Sequence, residues 1–373
     1  MKNGIIGAIV GDIVGSRFEW HNRKSKRFTF LKEQGKSRHP CFFTDDSVMT
    51  LAVAAAILDW RGGAGDLGAC AVRRMQEFGR RFPDAGYGGY FYHWLHADNP
   101  QPYNSWGNGS AMRVSACGWA GQTLDEVKAL SRAVTEVTHN HPEGIKGAEA
   151  TAVATFLART GKSMEEIKEV VVRDYYPLDF TLDEIRPGYE FDVSCQGSVP
   201  PALEAFFEST SFEDAIRNAI SIGGDSDTIA AITGAVAGAY YGVPEDIREK
   251  AERFLDPCLL ETLHAFEREV ERESAKWVMK VIAISSVLVC VLVGGLMFFC
   301  ENFLGGNEPE VVESIEEDYS FVEYKVQEGD DILSIAINHS CRQDLIVKYN
   351  NLVEGKVYPG MVLKIPQRKR GVR

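Results

Sequence analysis

Gly223-Gly224-Asp225-Ser226-Asp227-Thr228 runs directly into Ile229-Ala230-Ala231-Ile232-Thr233-Gly234-Ala235-Val236-Ala237-Gly238-Ala239-Tyr240-Tyr241-Gly242. The second part reads as a small-residue helix. Gly234, Gly238 and Gly242 recur every four residues and so share one helix face. Small residues let helix axes approach closer than usual, which predicts a compact all-α domain. The run is too short, and too soon followed by Pro244, Glu245 and Asp246, to span a membrane. The first part sets two carboxylates and a hydroxyl at the start of that helix.

Far upstream lies a counterpart, Thr44-Asp45-Asp46, immediately before the apolar run Val48 to Leu58. Asp and Thr at a helix start cap orphan amides, and capping accounts for either cluster taken singly. Taken together, the clusters offer the closely placed oxygen ligands that hard divalent cations require.

Composition sets the bounds. The chain has 373 residues, 45% hydrophobic and 25% charged, enough for one large or two ordinary domains. Its net charge of -13 argues against a nucleic-acid partner. The eight cysteines form no CxxC pair and read as buried reduced thiols in a reducing compartment. Lys2 followed by Gly4 to Val14 is not a signal peptide, because Asp12 interrupts the run and Arg17, Glu19 and Trp20 follow it. It is expected to form a first buried helix.

To about residue 270 apolar residues recur at three and four positions, so helices are expected over Ser47–Trp60, Gly68–Phe82, Leu124–Val137, Gly147–Thr160, Ser163–Val172, Pro201–Glu208, Phe212–Ile222 and Ile229–Gly242. Thr123 with Glu126, Ser163 with Glu166 and Ser211 with Asp214 are start signals. Within this region Tyr189 to Ser194 is the one expected strand. Tyr240 and Tyr241 are better placed for core packing than for stacking on a ligand.

Pro244 to Lys276 reads as a charged helix, and Val281 to Cys300 carries no charge, as a transmembrane helix over 277–300 would. Arg268, Arg272, Lys276 and Lys280 precede that run; Glu301, Glu308 and Glu310 follow it. The expected topology is single-pass among membrane lipids, with the large domain (1–270) cytoplasmic and the C-terminal part outside the cytoplasm. An acidic linker, 301–321, leads to a small unit over 322–367. There Tyr324-Lys325-Val326 and Met361 to Ile365 read as strands, and Ile332 to His339 and Asp344 to Tyr349 as helices. Arg368-Lys369-Arg370 reads as a solvated tail.

Gly11-Asp12 with Glu19, Thr44-Asp45-Asp46, Trp106-Gly107-Asn108-Gly109-Ser110-Ala111-Met112-Arg113, Thr138-His139-Asn140-His141-Pro142 and Gly224-Asp225-Ser226-Asp227-Thr228 follow one another in an order and spacing that resemble the ADP-ribosylglycohydrolase family. The resemblance implies an all-helical fold, a site for two Mg2+ ions (Mn2+ being the possible substitute), and hydrolysis of the bond between ribose and an acceptor in an ADP-ribosylated protein or small molecule. It implies metal ligands at Thr44, Asp45, Asp46, Asp225, Asp227 and Thr228, with Glu19 and Asp46 as the catalytic candidates. Glu19 would contact metal and substrate and transfer a proton to the leaving acceptor. Ser105, Trp106, Gly107 and Asn108 would line the ADP-ribose cleft, and His139 would lie near the phosphates, whereas His141 caps against Pro142.

Tyr324-x-Val326-x-x-Gly329-Asp330, Ile335-Ala336, Asn350, Leu352, Gly360 and Ile365-Pro366 resemble the LysM module, with Asp331-Ile332 in place of the commoner Thr/Ser-Leu. That resemblance implies two strands flanking two helices and a glycan ligand containing N-acetylglucosamine, such as peptidoglycan. The alternative to a hydrolase is a catalytically silent cell-envelope scaffold on the same fold. Retention of all six acidic and hydroxyl metal positions favours the enzyme. Phosphoryl transfer is disfavoured, because the chain lacks a GxxxxGK[ST] loop.

Overall fold

A computed structural model describes residues 4–33, 39–299 and 319–368, without the side chains of 280–299. The chain divides into two compact units, residues 1–283 and 284–373.

The first unit is all-helical. Its elements are α1 (Ile6–Gly15), α2 (Asp45–Arg61), α3 (Leu67–Arg81), α4 (Gly89–His96), α5 (Gly109–Met112), α6 (Ser115–Ala120), α7 (Leu124–Thr135), α8 (Pro142–Arg159), α9 (Met164–Asp174), α10 (Leu182–Ile185), α11 (Cys195–Phe207), α12 (Phe212–Ser221), α13 (Ser226–Tyr241), α14 (Glu245–Glu252) and, up to residue 283, α15 (Pro257–Phe299). At its centre α1 lies against α13, and both are buried over almost their whole length. A Cβ placed on Gly7 or Gly11 would collide with the backbone of Gly234 or Ala230. The expected close approach of small-residue helices is thus present, and its partner is α1. Because Gly15 sits against Ser226 and Asp227, the pairing brings the last turn of α1 to the first turn of α13.

Several boundaries differ from the periodicity. Helix α8 starts at Pro142, whose ring suits the first helical turn, with His141 capping it through the Glu143 amide. Helix α11 starts at Cys195 and passes through Pro200 and Pro201, so the prolines fall inside it. Tyr189 to Ser194 forms no strand. Its polar groups bond to a loop instead, Asn108 N–H donating to Val193 O (2.7 Å), and only an isolated bridge joins Gly107 to Ser194. The charged helix after Pro244 is broken before Pro257, which cannot continue it, into α14 and α15.

The transmembrane assignment is corrected. Among the described residues no helix is long and apolar enough to cross a membrane. Over 281–299 the run does not begin a helix of its own. It continues α15, whose earlier part is amphipathic, with Leu259, Leu263, Phe266 and Val270 buried and Glu269–Arg272 and Glu273–Lys276 paired along the exposed face. A span requires a helix with about 20 predominantly apolar residues, about 30 Å long, and no described helix meets that requirement. The single-pass topology, the membrane-lipid partner and the two-sided localisation fall with it. Most of the acidic linker, at 301–318, and the end of the basic tail lie outside the described residues.

In the second unit β1 (Tyr319–Lys325) pairs antiparallel with β2 (Val362–Arg368), flanking α16 (Ile332–Asn338) and α17 (Gln343–Tyr349). Val326, Ile332, Ile335, Ile346, Leu363 and Ile365 form its core. The Asp330 carboxylate accepts from the Tyr324 hydroxyl (2.8 Å) and the Gln327 amide (2.7 Å), which closes the turn after β1. Asn350 ties α17 to β2, accepting from Lys364 N–H (2.7 Å) and donating to Lys364 O (2.8 Å).

Candidate active site

Three chain segments meet at the α1–α13 crossing: the end of α1 with the turn after it, the start of α2, and the start of α13. Asp12, on α1, is fully buried, and its carboxylate accepts from Thr44 N–H (2.9 Å), the Thr44 hydroxyl (2.7 Å), Ser47 N–H (3.1 Å) and the Ser47 hydroxyl. It therefore anchors the N-terminus of α2 and presents Asp45 and Asp46 to the cleft. Thr44 caps that helix through Asp46 N–H, so the capping role foreseen for it is real. Asp225 behaves differently. It occupies the N-cap of α13 without making a side-chain cap bond, and its carboxylate accepts from Asn108 Nδ2 instead (2.7 Å). Asn108 also donates to the Ser198 hydroxyl (2.9 Å), which locks its orientation.

Two trios of carboxylates result, Asp12–Asp46–Asp227 and Glu19–Asp225–Asp227, each with donor oxygens within 4.8 Å of one another. Asp227 belongs to both. Asp46 Oδ2 accepts from Thr228 (3.2 Å), while Asp46 Oδ1 is buried with no hydrogen-bond partner among the described residues. An unpartnered buried carboxylate oxygen is costly unless a cation or donor faces it. Asp45 belongs to neither trio; it faces the cleft beside Gly86 and Tyr87.

Electrostatics follow from the crowding. Burial pushes the Asp12 carboxyl up to about 6 in spite of its four donors. Burial, then Asp225 and Asp12, push Glu19 up to about 7. Asp45, Asp46 and Asp227 are driven well above the usual carboxylate range by burial first and by neighbouring carboxylates second. Asp225 is raised less, because Asn108 stabilises its charge. Among the described residues no lysine lines the cleft, and the one arginine that does, Arg113, donates to the Thr138 hydroxyl (2.6 Å). Clustered carboxylate and threonine oxygens are the donor set that suits a hard divalent cation, so the residues fit such a group.

The cleft has a volume of about 670 Å³. Ser105, Gly107, Asn108 and His139 line it together with the carboxylates. Trp106 does not lie among them. It stands at the rim, 51% exposed, its ring 5.4 Å from that of His141. Burial and Arg113 hold His139 well below its ordinary pKa, so it is neutral. Its Nδ1 lies 2.7 Å from the Thr138 hydroxyl, and Nε2 faces the backbone of Gly107 and Gly109.

Sequence reasoning left three features without a role. Asp12 was quoted as part of a motif but not as a carboxylate of the cluster. The run Asp84-Ala85-Gly86-Tyr87-Gly88-Gly89-Tyr90 forms one wall of the cleft, with Ala85 O accepting from Asp45 N–H (2.7 Å); its glycine density was the available signal. Trp20 and Phe191 stack at the mouth with ring centroids 5.3 Å apart, and no local pattern couples residues so distant in sequence.

Fold and site together define an all-helical domain whose cleft is walled by carboxylates able to hold metal, followed by a small unit with a two-stranded sheet. Residues 1–277 match the family model for ADP-ribosylglycohydrolase, and residues 324–366 match that for the LysM domain. The chain belongs to the ADP-ribosylglycohydrolase family, a metal-dependent family of hydrolases, and carries a C-terminal LysM domain. Its relatives include ADP-ribosylhydrolase ARH3 of Homo sapiens, 29% identical over 70% of this chain and 91% of the relative. The enzyme of the same name from Mus musculus is 27% identical over 71% and 91%. The ADP-ribosylarginine hydrolase Tri1 of Pseudomonas putida is 27% identical over 65% of this chain and 70% of that one. Among solved structures, an ADP-ribosylglycohydrolase-related protein complex aligns with a TM-score of 0.54 and 25% identity, over 72% of this chain and 95% of that chain.

Proposed function

We propose that the domain of residues 1–270 hydrolyses the N- or O-glycosidic bond joining ADP-ribose to an acceptor, a protein or small molecule, with two Mg2+ ions or Mn2+ in their place. The observation that carries this reading is the pair of carboxylate trios sharing Asp227. Asp12, Asp46 and Asp227 would hold one ion and Glu19, Asp225 and Asp227 the other, with Thr44, Asp45 and Thr228 completing the oxygen set. Bound ions would supply fixed positions for ribose hydroxyls and water and offset the negative charge of the carboxylate wall.

The chain's own groups do the rest. Glu19 lines the cleft, half-buried beside the mouth, and is the group placed to donate a proton to the departing acceptor oxygen or nitrogen; in that role it leaves the second ion to Asp225 and Asp227. Asp46 Oδ1, free of other bonds, accepts a hydrogen bond from the water that adds to the ribose carbon. That bond forms as the acceptor bond breaks, and the water's proton replaces the one Glu19 gave up. Ser105 and the Gly86–Gly89 backbone, both lining the cleft, offer a hydroxyl and an amide-rich surface to the diphosphate, while Gly107 and Asn108 shape the wall. Neutral His139 supports that wall from behind. The LysM domain, 322–367, binds a glycan containing N-acetylglucosamine, as peptidoglycan does.

The test is a panel of ADP-ribosylated arginine, serine, nucleotide-end and small-molecule substrates, assayed for ADP-ribose release with Mg2+ and with chelator. Release that needs the cation supports the reading. Absence of release from every substrate with Mg2+ present favours the silent scaffold.

A further inference from the structure

Glu19 reaches the carboxylate cluster from a turn that has left α1, yet its donor oxygen lies within 4.8 Å of those of Asp225 and Asp227. Ionised carboxylates repel at that range, so covalent connection alone does not keep them together. The opposing turn is itself exacting. Gly223 and Gly224 are both left-handed, with φ of +75° and +74°. Something must hold these two turns in register.

We infer that Asn22 is a positioning residue of the site, its side-chain amide fastening the Glu19 turn to the Gly223–Gly224 turn. Asn22 Oδ1 accepts from Gly224 N–H (2.7 Å), and Nδ2 donates to Gly224 O (2.9 Å), Phe18 O (2.9 Å) and Glu19 O (2.8 Å). One carboxamide thus holds both the residue that carries the proton donor and the residue immediately before Asp225. Among the described residues no other side chain accepts from Gly224 N–H. A Cβ on Gly223 would meet Asn22 Oδ1 at 2.8 Å, so the glycine turn is shaped around this contact. Lys24, two residues on, adds a second fastening by donating to Ile222 O at the end of α12 and to Tyr189 O. An amide suits the position because it both donates and accepts while adding no charge beside a crowd of carboxylates. The inference rests on the reading of those carboxylates as a cation site.

The experiment uses the full chain, with Asn22→Ala and Lys24→Met, and Mn2+ as the probe. Three quantities are measured: Mn2+ affinity by calorimetry, amide exchange across 220–228 in chelator, and kcat and KM on whichever substrate the wild type cleaves. Asn22→Ala is expected to weaken Mn2+ binding and lower kcat, each by roughly 10- to 100-fold, as losing a partner behind a metal ligand does. Exchange at Gly224 should accelerate, while KM stays within about threefold because the wall of Ser105 to Asn108 is untouched. Mn2+ affinity and Gly224 protection both unchanged would overturn the inference. If Asn22→Ala does not fold, Lys24→Met decides: weaker Mn2+ binding with a melting temperature near wild type supports it, and unaltered binding overturns it. A wild type that binds Mn2+ but cleaves nothing sinks the proposed hydrolysis alone, since the affinities still report on Asn22. A wild type that binds no Mn2+ overturns both.

Discussion

Replacing Asp227 with asparagine removes the one carboxylate common to both trios while keeping its shape. Without cations the wild-type site holds several buried carboxyls against their preference. Asp12 illustrates the size: a shift from 3.8 to about 6 corresponds to about 3 kcal/mol at 1.36 kcal/mol per unit. The unfolded chain releases that proton near pH 4 and the folded one near pH 6. The folded state therefore holds the proton longer, and stability declines as pH rises through that window. In chelator the main melting transition should accordingly fall between pH 5 and pH 7.5. Mg2+ at about 100 times its dissociation constant should restore about 2.7 kcal/mol, which for a domain of this size is about 5–10 °C. Asp227→Asn should melt at or above the wild-type temperature in chelator, because a repulsive charge is gone. It should lose most of the Mg2+ response and most ADP-ribose release. Asparagine caps a helix about as well as aspartate, so a capping residue would show neither loss. Scanning calorimetry or circular dichroism of both proteins, with chelator and with millimolar Mg2+, makes the comparison. Identical wild-type melting in the two conditions refutes the cation site.

Three further outcomes are expected. Glu19→Gln should lower kcat by about 10²- to 10⁴-fold, the usual contribution of a positioned proton donor, in a stopped ADP-ribose release assay; a loss under twofold removes Glu19 from that role. Gly11→Ala drives a methyl into the Ala230 backbone and should cost about 1–3 kcal/mol or more, seen as a lower melting temperature; an unchanged value means α1 and α13 can part freely. The LysM domain, expressed as residues 320–373, should sediment with insoluble peptidoglycan above a control protein, and no enrichment leaves it without the proposed ligand.

Much of this protein was legible in one dimension. Helix periodicity, the Ser163–Glu166 capping box and the every-fourth glycine of α13 are local facts, and they foretold an all-helical domain because they act within a turn or two of the chain. Acidic pairs at 45–46 and 225–227 announced oxygen chemistry for the same reason. What folding alone decided is which groups meet. The α1–α13 register made Asp12 the hub that orients α2, made Asp227 common to two trios, and left Asp225 uncapped and facing Asn108. It also put Trp106 at the rim and a glycine run, 86–89, on the cleft wall. The uncharged run after Lys280 shows the converse hazard. The run continues α15, which begins at Pro257, and among the described residues no helix is long and apolar enough to cross a membrane. Local pattern is written by backbone propensity and polarity, but the site depends on distances between residues some two hundred positions apart, and only close packing of two small-residue helices sets those.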